Sequence, residues 1–260
     1  MNNKTIIKFT KISLLAGAVG IFSGCVSQSA DNEVSIDGKW FRYSGIESAV
    51  VDIEEREIVP AAPVPEPPLK SEYLEAWRTE RARLQAAEDR GEPISSGYTE
   101  CRPGGMPAMM VAIFPMEVLE SRGQVTIVQE AYSEIRRIYL DGSEQIPYED
   151  AEPRFWGHSV GVWEGDTLVV DTVGIKDYVE FRNVPHSNQM RISERIRLLN
   201  DNVMENKLVV TDPVYLTEPW EWTWMYSREP GYKLYEYVCE DNREYSDPET
   251  GEARLRMFGE

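Results

Sequence analysis

From Pro115 onward the apolar pattern of this 260-residue chain has a period of two. Nine successive segments carry it: MEVLES, QVTIVQEA, EIRRIYLDG, HSVGVWEG, DTLVVDTVG, RISERIRLL, NKLVVTD, WEWTWMYS and KLYEYVCED. Most are separated by turn sequences, among them Asp141-Gly142, Glu164-Gly165, Asn200-Asp201-Asn202 and Glu229-Pro230-Gly231. Alternation bounded by such turns predicts strands joined by hairpins. No helical pattern of useful length interrupts them. An antiparallel meander of this many strands must curl or close to remove its edges. A sandwich would show longer crossovers between its sheets. The expectation is a mainly β fold, an antiparallel meander forming an up-and-down barrel or a strongly curved half-barrel.

The segments before Pro115 have other roles. Asp37-Gly38-Lys39-Trp40 opens a first strand. The stretch 58–70 has prolines at 60, 63, 65, 67 and 68, which excludes helix and central strand and predicts an extended arm. An amphipathic helix follows over 71–90, with Ser71 as its expected N-cap, Gly91 and Pro93 ending it, and Leu74, Trp77, Arg81 and Leu84 on one side. It would pack outside the barrel or plug one end. Residues 37–260 form one domain on this expectation.

The first 24 residues read as a signal peptide: Lys4, Lys8 and Lys11, then a short apolar run. Phe22-Ser-Gly-Cys25 resembles a bacterial lipobox with Phe22 in place of the usual Leu. That resemblance implies lipidation at Cys25, a tether over 25–36, and contact with the membrane through the anchor only. The absence of Asp after Cys25 implies outer-membrane sorting, facing the periplasm. A secreted protein cleaved nearby is the alternative. Cys101 and Cys239 then remain, and in an exported chain they predict one disulfide. Closing a loop of 138 residues stabilises by roughly 4–5 kcal/mol in the chain-entropy model.

The net charge is −18, and loss of the three leader lysines takes it to about −21. Such acidity argues against nucleic acid as a partner. Two distant cysteines and two histidines offer no metal site, and no phosphate-binding glycine loop or HExxH is present, so no cofactor is expected.

The segment GHSVGVWEGDTLVVDTVG (157–174) places a histidine and a carboxylate in an apolar ribbon. A turn centred on Glu164-Gly165 would pair Val162 with Thr167, Val160 with Val169, and His158 with Asp171. One face would carry His158, Val160, Val162, Thr167, Val169 and Asp171, the other Ser159, Gly161, Trp163, Leu168, Val170 and Thr172. His158 and Asp171 are therefore a candidate His–Asp dyad, with the carboxylate orienting the imidazole for acid–base work, or a structural pair tying two strands. Gly157-His-Ser-Val-Gly161 fits GxSxG literally, but it runs on into a strand where a nucleophile elbow needs a turn into a helix.

In RISERIRLL, Glu194 falls on the apolar face with Ile192, Ile196 and Leu198; in KLYEYVCE, Glu236 falls with Leu234 and Val238. Each glutamate is a candidate proton donor, or half of a buried ion pair with Arg136 or Arg137. His186 lies in a loop at the mouth of the next strand. Trp220, Trp222, Trp224 and Tyr226 share one strand face, and Trp156 and Trp163 flank the His158 strand. Large rings fill cores, and some can line a cavity for an apolar or sugar-like ligand. The ligand-contact candidates are Trp156, Trp222, Trp224, Tyr226, Glu236 and His186. Two functions follow: acid–base catalysis on a small apolar or glycosidic molecule, or carriage of such a ligand without chemistry. A structural envelope lipoprotein is a third.

The Gly-x-Trp of the first strand resembles the opening of lipocalin-like (calycin) barrels. CRPGGMP, IRRIYLDG, GHSVGVWEGDTLVVDTVG, PHS, SERIRL, DPVYLTEPW and YEYVCEDN, in this order, resemble a widespread and largely uncharacterised family of exported bacterial proteins. The resemblance spans most of the mature chain and implies one continuous fold; it implies no particular activity.

Overall fold

A computed structural model describes residues 35–42, 63–92, 94, 101–111, 114–179 and 181–239, and the backbone of 244–246 and 253–255. The expectations for the leader, for Cys25 and for positions 26–34 and 58–62 lie outside these residues.

Nine strands close into a barrel in chain order, and the first pairs with the last. They are β1 (Gly38–Arg42), β2 (Met116–Ser121), β3 (Gln124–Gln129), β4 (Glu134–Tyr139), β5 (His158–Glu164), β6 (Thr167–Val173), β7 (Arg191–Asn200), β8 (Val203–Thr211) and β9 (Trp220–Arg228). The mainly β barrel expected from the alternation is the observed fold, consistent with the lipocalin-like barrel that the Gly-x-Trp resemblance implied. Inward and outward residues alternate along the strands, as in β7, where Ile192, Glu194 and Ile196 are buried and Arg191, Ser193 and Arg195 exposed. A separate two-stranded sheet joins β10 (Glu244–Ser246) to β11 (Ala253–Leu255).

Two features depart from the expected meander. The pair β4–β5 is parallel, with Ile138 opposite Ser159 and Tyr139 opposite Val160. Parallel neighbours need a crossover, and residues 140–157 supply one that carries no helix. The last expected strand, KLYEYVCED, is irregular over 232–238. Both edges of β9 are already taken, by β8 and by β1, so no ladder is left for it. Glu236 is therefore exposed on that segment and faces no interior. The segment is tied down instead by Tyr232 and Tyr235, whose hydroxyl and backbone N–H donate to Glu130 at 2.8 and 2.7 Å, and by the Cys101–Cys239 disulfide.

The two ends of the barrel differ. At one end lie the short turns after β2, β5 and β7, and there Arg228 donates to the carbonyls of Asp201, Asp37 and Ser35 while lying 4.3 Å over the Trp40 ring. The other end carries the long loops and helix α1 (Ser71–Asp89). Ser71 is its first helical residue and not the N-cap; Lys70 holds that position with no side-chain cap bond. Lys70 is fixed otherwise, its N–H donating to Tyr215 O at 2.9 Å and its ammonium to Pro213 O at 2.7 Å. Residues 63–70 run extended beside 213–220, through the Leu69–Leu216 bridge and the Trp220 indole donating to Pro65 O at 3.1 Å.

A 3₁₀ turn over Ala108–Val111 enters the loop end. Met106, Met109 and Met110 are almost wholly buried, and Met110 O accepts the Tyr226 hydroxyl at 2.6 Å. Methionine suits this task because its flexible thioether fills irregular space. The interior is a packed core rather than an open cup.

Candidate functional site

The 158–173 ribbon forms its hairpin in a different register from the one expected. The loop is two residues, Gly165-Asp166, so Glu164 pairs with Thr167 and Val160 with Asp171, while His158 lies opposite Val173. A shift of two residues preserves the face but not the partner. His158 and Asp171 do share a face. It is the outer one, since Ser159, Leu168, Val170 and Thr172 are buried and Val162 is 57 % exposed.

The expected His–Asp dyad is accordingly replaced by two other pairs. Asp171 takes a bidentate ion pair from Arg191, at 2.5 and 2.6 Å, on the neighbouring strand. The His158 Nδ1 lies 3.0 Å from Gln145 Oε1. Both amide hydrogens of Gln145 go to backbone carbonyls, of His158 at 3.0 Å and of Asp171 at 2.8 Å. Its oxygen is thus the acceptor, and His158 is held with its proton on Nδ1. Burial pushes the His158 pKa below 6.5, Arg154 adds to the effect and Asp141 opposes it. The ring is neutral at pH 7.

The inner face of the same hairpin carries a buried polar cluster. Arg136 and Glu194 form an ion pair in which both side chains are fully buried. The guanidinium meets both carboxylate oxygens and also donates to Ser159 Oγ at 3.2 Å and Thr172 Oγ1 at 3.0 Å. Asn206 donates to Glu194 at 2.9 Å, and the Ser159 and Thr172 hydroxyls bond each other at 2.8 Å. Of the two roles open to Glu194, the structure has the ion pair, and with Arg136 rather than the exposed Arg137. Ser159 sits inside this cluster on a continuing strand, which is no nucleophile elbow. Tyr226 is also fully buried, and burial raises its pKa far above the usual phenol value.

Glu134 was not among the expected site residues. It is 1 % exposed, with its carboxylate accepting the Gly104 N–H and, at 3.2 Å, the Trp156 indole N–H. Burial raises its pKa, against the pull of those donors. Glu134 thus ties Trp156 to Gly104 of the CRPGGMP loop. The alternation of EIRRIYL places Glu134 on the same face as Arg136, which is the signal that could have found it.

The arrangement best suited to a ligand lies at the loop end. Trp220, Trp222 and Trp224 project inward from β9 and are 0–6 % exposed. Phe181 rests against all three. Its ring stacks on Trp222 at 5.5 Å and 23°, stands edge-on to Trp224 at 5.9 Å and 90°, and lies 5.8 Å from Trp220. A tight turn presents that ring: Phe181 bridges Val184, and the two residues between them, Arg182 and Asn183, have φ of 55° and 58°. Positive φ at consecutive non-glycine residues stores strain. Helix α1 holds the turn, with the Trp77 indole donating to Arg182 O at 3.0 Å and Arg81 to Asn183 Oδ1 at 3.2 Å.

Beside this ring is a small cavity walled by Met106, Val179, Val184, Met190, Val210 and Leu216, with His186 and Asp212 as its ionisable members. Its free volume is about 20 Å³, space for roughly one water. His186 lines it, with its ring nitrogens 3.0 and 3.1 Å from the carbonyl oxygens of Val179 and Ser187. Asp212 caps the loop around it, accepting Ser187 N–H and Oγ–H and the Val214 and Tyr215 N–H groups. No His–Asp bond forms there either. Two of the expected contact residues, His186 and Trp222, thus adjoin Phe181 or its cavity, and Trp224 completes the aromatic wall. Tyr226 sits deeper, under the 3₁₀ turn.

Two indole nitrogens in this wall are unmatched. Trp222 Nε1 and Trp224 Nε1 are buried and have no hydrogen-bond partner among the described residues; Asn206 Oδ1 is in the same condition. Among the described residues no three of His, Cys, Asp and Glu gather to hold a metal ion. The geometry can seat a small apolar molecule in a β-barrel, provided that soft side chains give way. No family model, curated protein or solved structure matches this chain.

Proposed function

We propose that the chain carries a small apolar molecule at the loop end of its barrel, and that Phe181 holds the site closed when it is empty. The observation that carries this is the Phe181 ring seated against three tryptophans beside an apolar cavity. Ligand sites favour such surroundings: apolar and aromatic walls with few polar groups, at the mouth of a barrel. Methionines at the wall and the strained turn under Phe181 give the site parts that can move. A state open to ligand is then a minor one, and apparent affinity is reduced by its small population.

The test is binding of the apolar fluorophore N-phenyl-1-naphthylamine. Phe181→Ala removes the resident ring and is expected to bind it at least tenfold tighter than wild type. Leu199→Ala, an exposed site on the barrel wall, serves as control and is expected to change nothing. Equal affinity in wild type and Phe181→Ala refutes the gate.

The place of action we propose is the bacterial envelope, with the chain anchored through acylated Cys25 and drawn from the exported family that its motifs resemble. Support comes from the leader pattern and from the disulfide, which belongs to an oxidising compartment. Cys25→Ala should move the protein out of the membrane fraction; an unacylated wild-type N-terminus would contradict the anchor.

A second function, acid–base catalysis, has one observation in its favour. His158 is neutral, fixed at Nδ1 by Gln145, and Nε2 has no hydrogen-bond partner among the described residues. That is the state of a proton acceptor. Hydrolysis of 4-nitrophenyl acetate that falls to background in His158→Gln would support it, and equal rates would remove it.

A further inference from the structure

Two arginines come near each other at the turn that carries Phe181, and among the described residues neither has a carboxylate. Arg182 follows Phe181 in that turn, and its guanidinium makes no hydrogen bond or ion pair among the described residues. Arg81 reaches the same turn from α1 and donates to Asn183 Oδ1 at 3.2 Å. The other arginines of α1 are different: Arg78 and Arg83 hold Glu66 and Glu80 at 2.6 and 2.7 Å. Burial lowers the Arg182 pKa, and the Arg81 charge lowers it further, with no carboxylate pulling the other way. Like charges brought together without an acid repel. The backbone nevertheless keeps Arg182 in place, at a φ of 55° and with its carbonyl bonded to the Trp77 indole at 3.0 Å. Strain held against repulsion is a mark of functional positions.

Resting on the carrier function proposed above, we infer that Arg81 and Arg182 form an oxyanion site at the rim of the Phe181 seat, and that the carried molecule joins an apolar body to a carboxylate or phosphate head. One turn serves both parts. Phe181 supplies the seat and the next residue supplies a cation, with about 3.8 Å between their Cα atoms. The Phe181 ring is tethered to this turn, so an apolar group in its place lies within a side chain's length of the turn. A guanidinium fork matches the edge of a carboxylate or phosphate with two parallel bonds. Arg182 has its whole fork to give, and Arg81 keeps the donors that Asn183 does not use. The cavity itself is lined by no lysine or arginine among the described residues, so the head stays at the rim. The chain's net charge of −18 repels anions at long range, and an anionic ligand therefore needs local cations such as these.

The experiment compares 4-phenylbutyrate with 4-phenyl-1-butanol, which match in length and differ in charge. Each is titrated by calorimetry into wild type and Phe181→Ala at low salt, with inorganic phosphate as a third titrant. The acid is expected to bind about tenfold tighter than the alcohol, equivalent to about 1.4 kcal/mol, and about 0.5 M sodium chloride should remove most of that margin. Arg182→Gln, whose side chain holds nothing in the fold, should bring the two probes within about twofold of each other. Arg137→Gln takes an exposed charge from the barrel wall and should leave the margin intact. The ratio of the two affinities is the readout for Arg81→Gln, because that change also releases Asn183 and so acts on the alcohol. Equal affinity for acid and alcohol overturns the anionic head and leaves the carrier function standing. Phosphate that shifts the Arg182 Nε–H resonance, while neither phenyl probe binds even to Phe181→Ala, supports the oxyanion site as one for a free anion and overturns the carrier function. No response to any of the three overturns both.

Discussion

Removing either member of the Arg136–Glu194 pair should be among the most damaging single changes available in the barrel wall. Both side chains are fully buried, so Glu194→Leu strands a guanidinium whose remaining partners are the Ser159 and Thr172 hydroxyls. Breaking a buried pair from one side costs about 3–5 kcal/mol. Asn206 also loses its acceptor, adding to that figure. For a domain of this size each kcal/mol moves the midpoint by roughly 2–4 °C, which gives a fall in Tm of about 6–20 °C. The double variant Arg136→Met/Glu194→Leu has no stranded charge. Its cost should be about 1–3 kcal/mol, from Asn206 and the two hydroxyls left in an apolar core. Urea denaturation of wild type, both single variants and the double variant, followed by circular dichroism, measures the cycle. The double variant should be more stable than either single one. Costs that add within about 0.5 kcal/mol, or a Glu194→Leu penalty under about 1 kcal/mol, would show that the pair is not the buried, desolvated unit described above.

Two glycines separate backbone strain from crowding. Gly157 has φ of 65°, and a Cβ there would meet Val173 O at 2.6 Å and Thr172 Cγ2 at 2.8 Å, so Gly157→Ala should cost well over 1 kcal/mol. Gly165 has φ of 66° with open space around it, so Gly165→Asn in the hairpin turn should shift the same urea midpoint little. The pKa of His158 is held below 6.5, so the folded chain binds fewer protons there than the unfolded one. Stability should therefore fall as pH drops through 6.5 and level off below the folded midpoint, and His158→Gln should remove that part of the pH dependence. An NMR midpoint for His158 at or above 6.5 would contradict its surroundings.

What the chain reveals before folding depends on the length scale of the signal. Alternation locates β2 to β9, and the inward face of β9 follows from the spacing of its tryptophans. The disulfide follows from two leftover cysteines. Register does not follow, because one residue more or less in a turn moves every partner. Glu164-Gly165 and Gly165-Asp166 both make plausible loops, and only the second is used. Nor does the inward side of an apolar ribbon. The small residue Gly161 points in because Ile138 and Leu140 crowd that side, where a Cβ would come within 2.8 and 2.9 Å of them, and those two lie on another part of the chain. KLYEYVCED has the pattern of a strand but finds no open edge, a fact decided by β1 nearly two hundred residues earlier. Phe181 gave no periodic signal. Its role rests on a turn, Arg182-Asn183, that carries no glycine to announce it.

The seam between β1 and β9 has a consequence for the order of events. Trp40 and Arg228 are partners there, about 190 residues apart in the chain, the kind of distant contact that slows folding. The stave that leaves the ribosome first must wait for the one that leaves almost last. Until β9 arrives, β1 lacks one neighbour and β8 presents a bare edge, the surface on which stray strands pair. A chain with this seam gains little from folding early and much from being held open until its end is in hand.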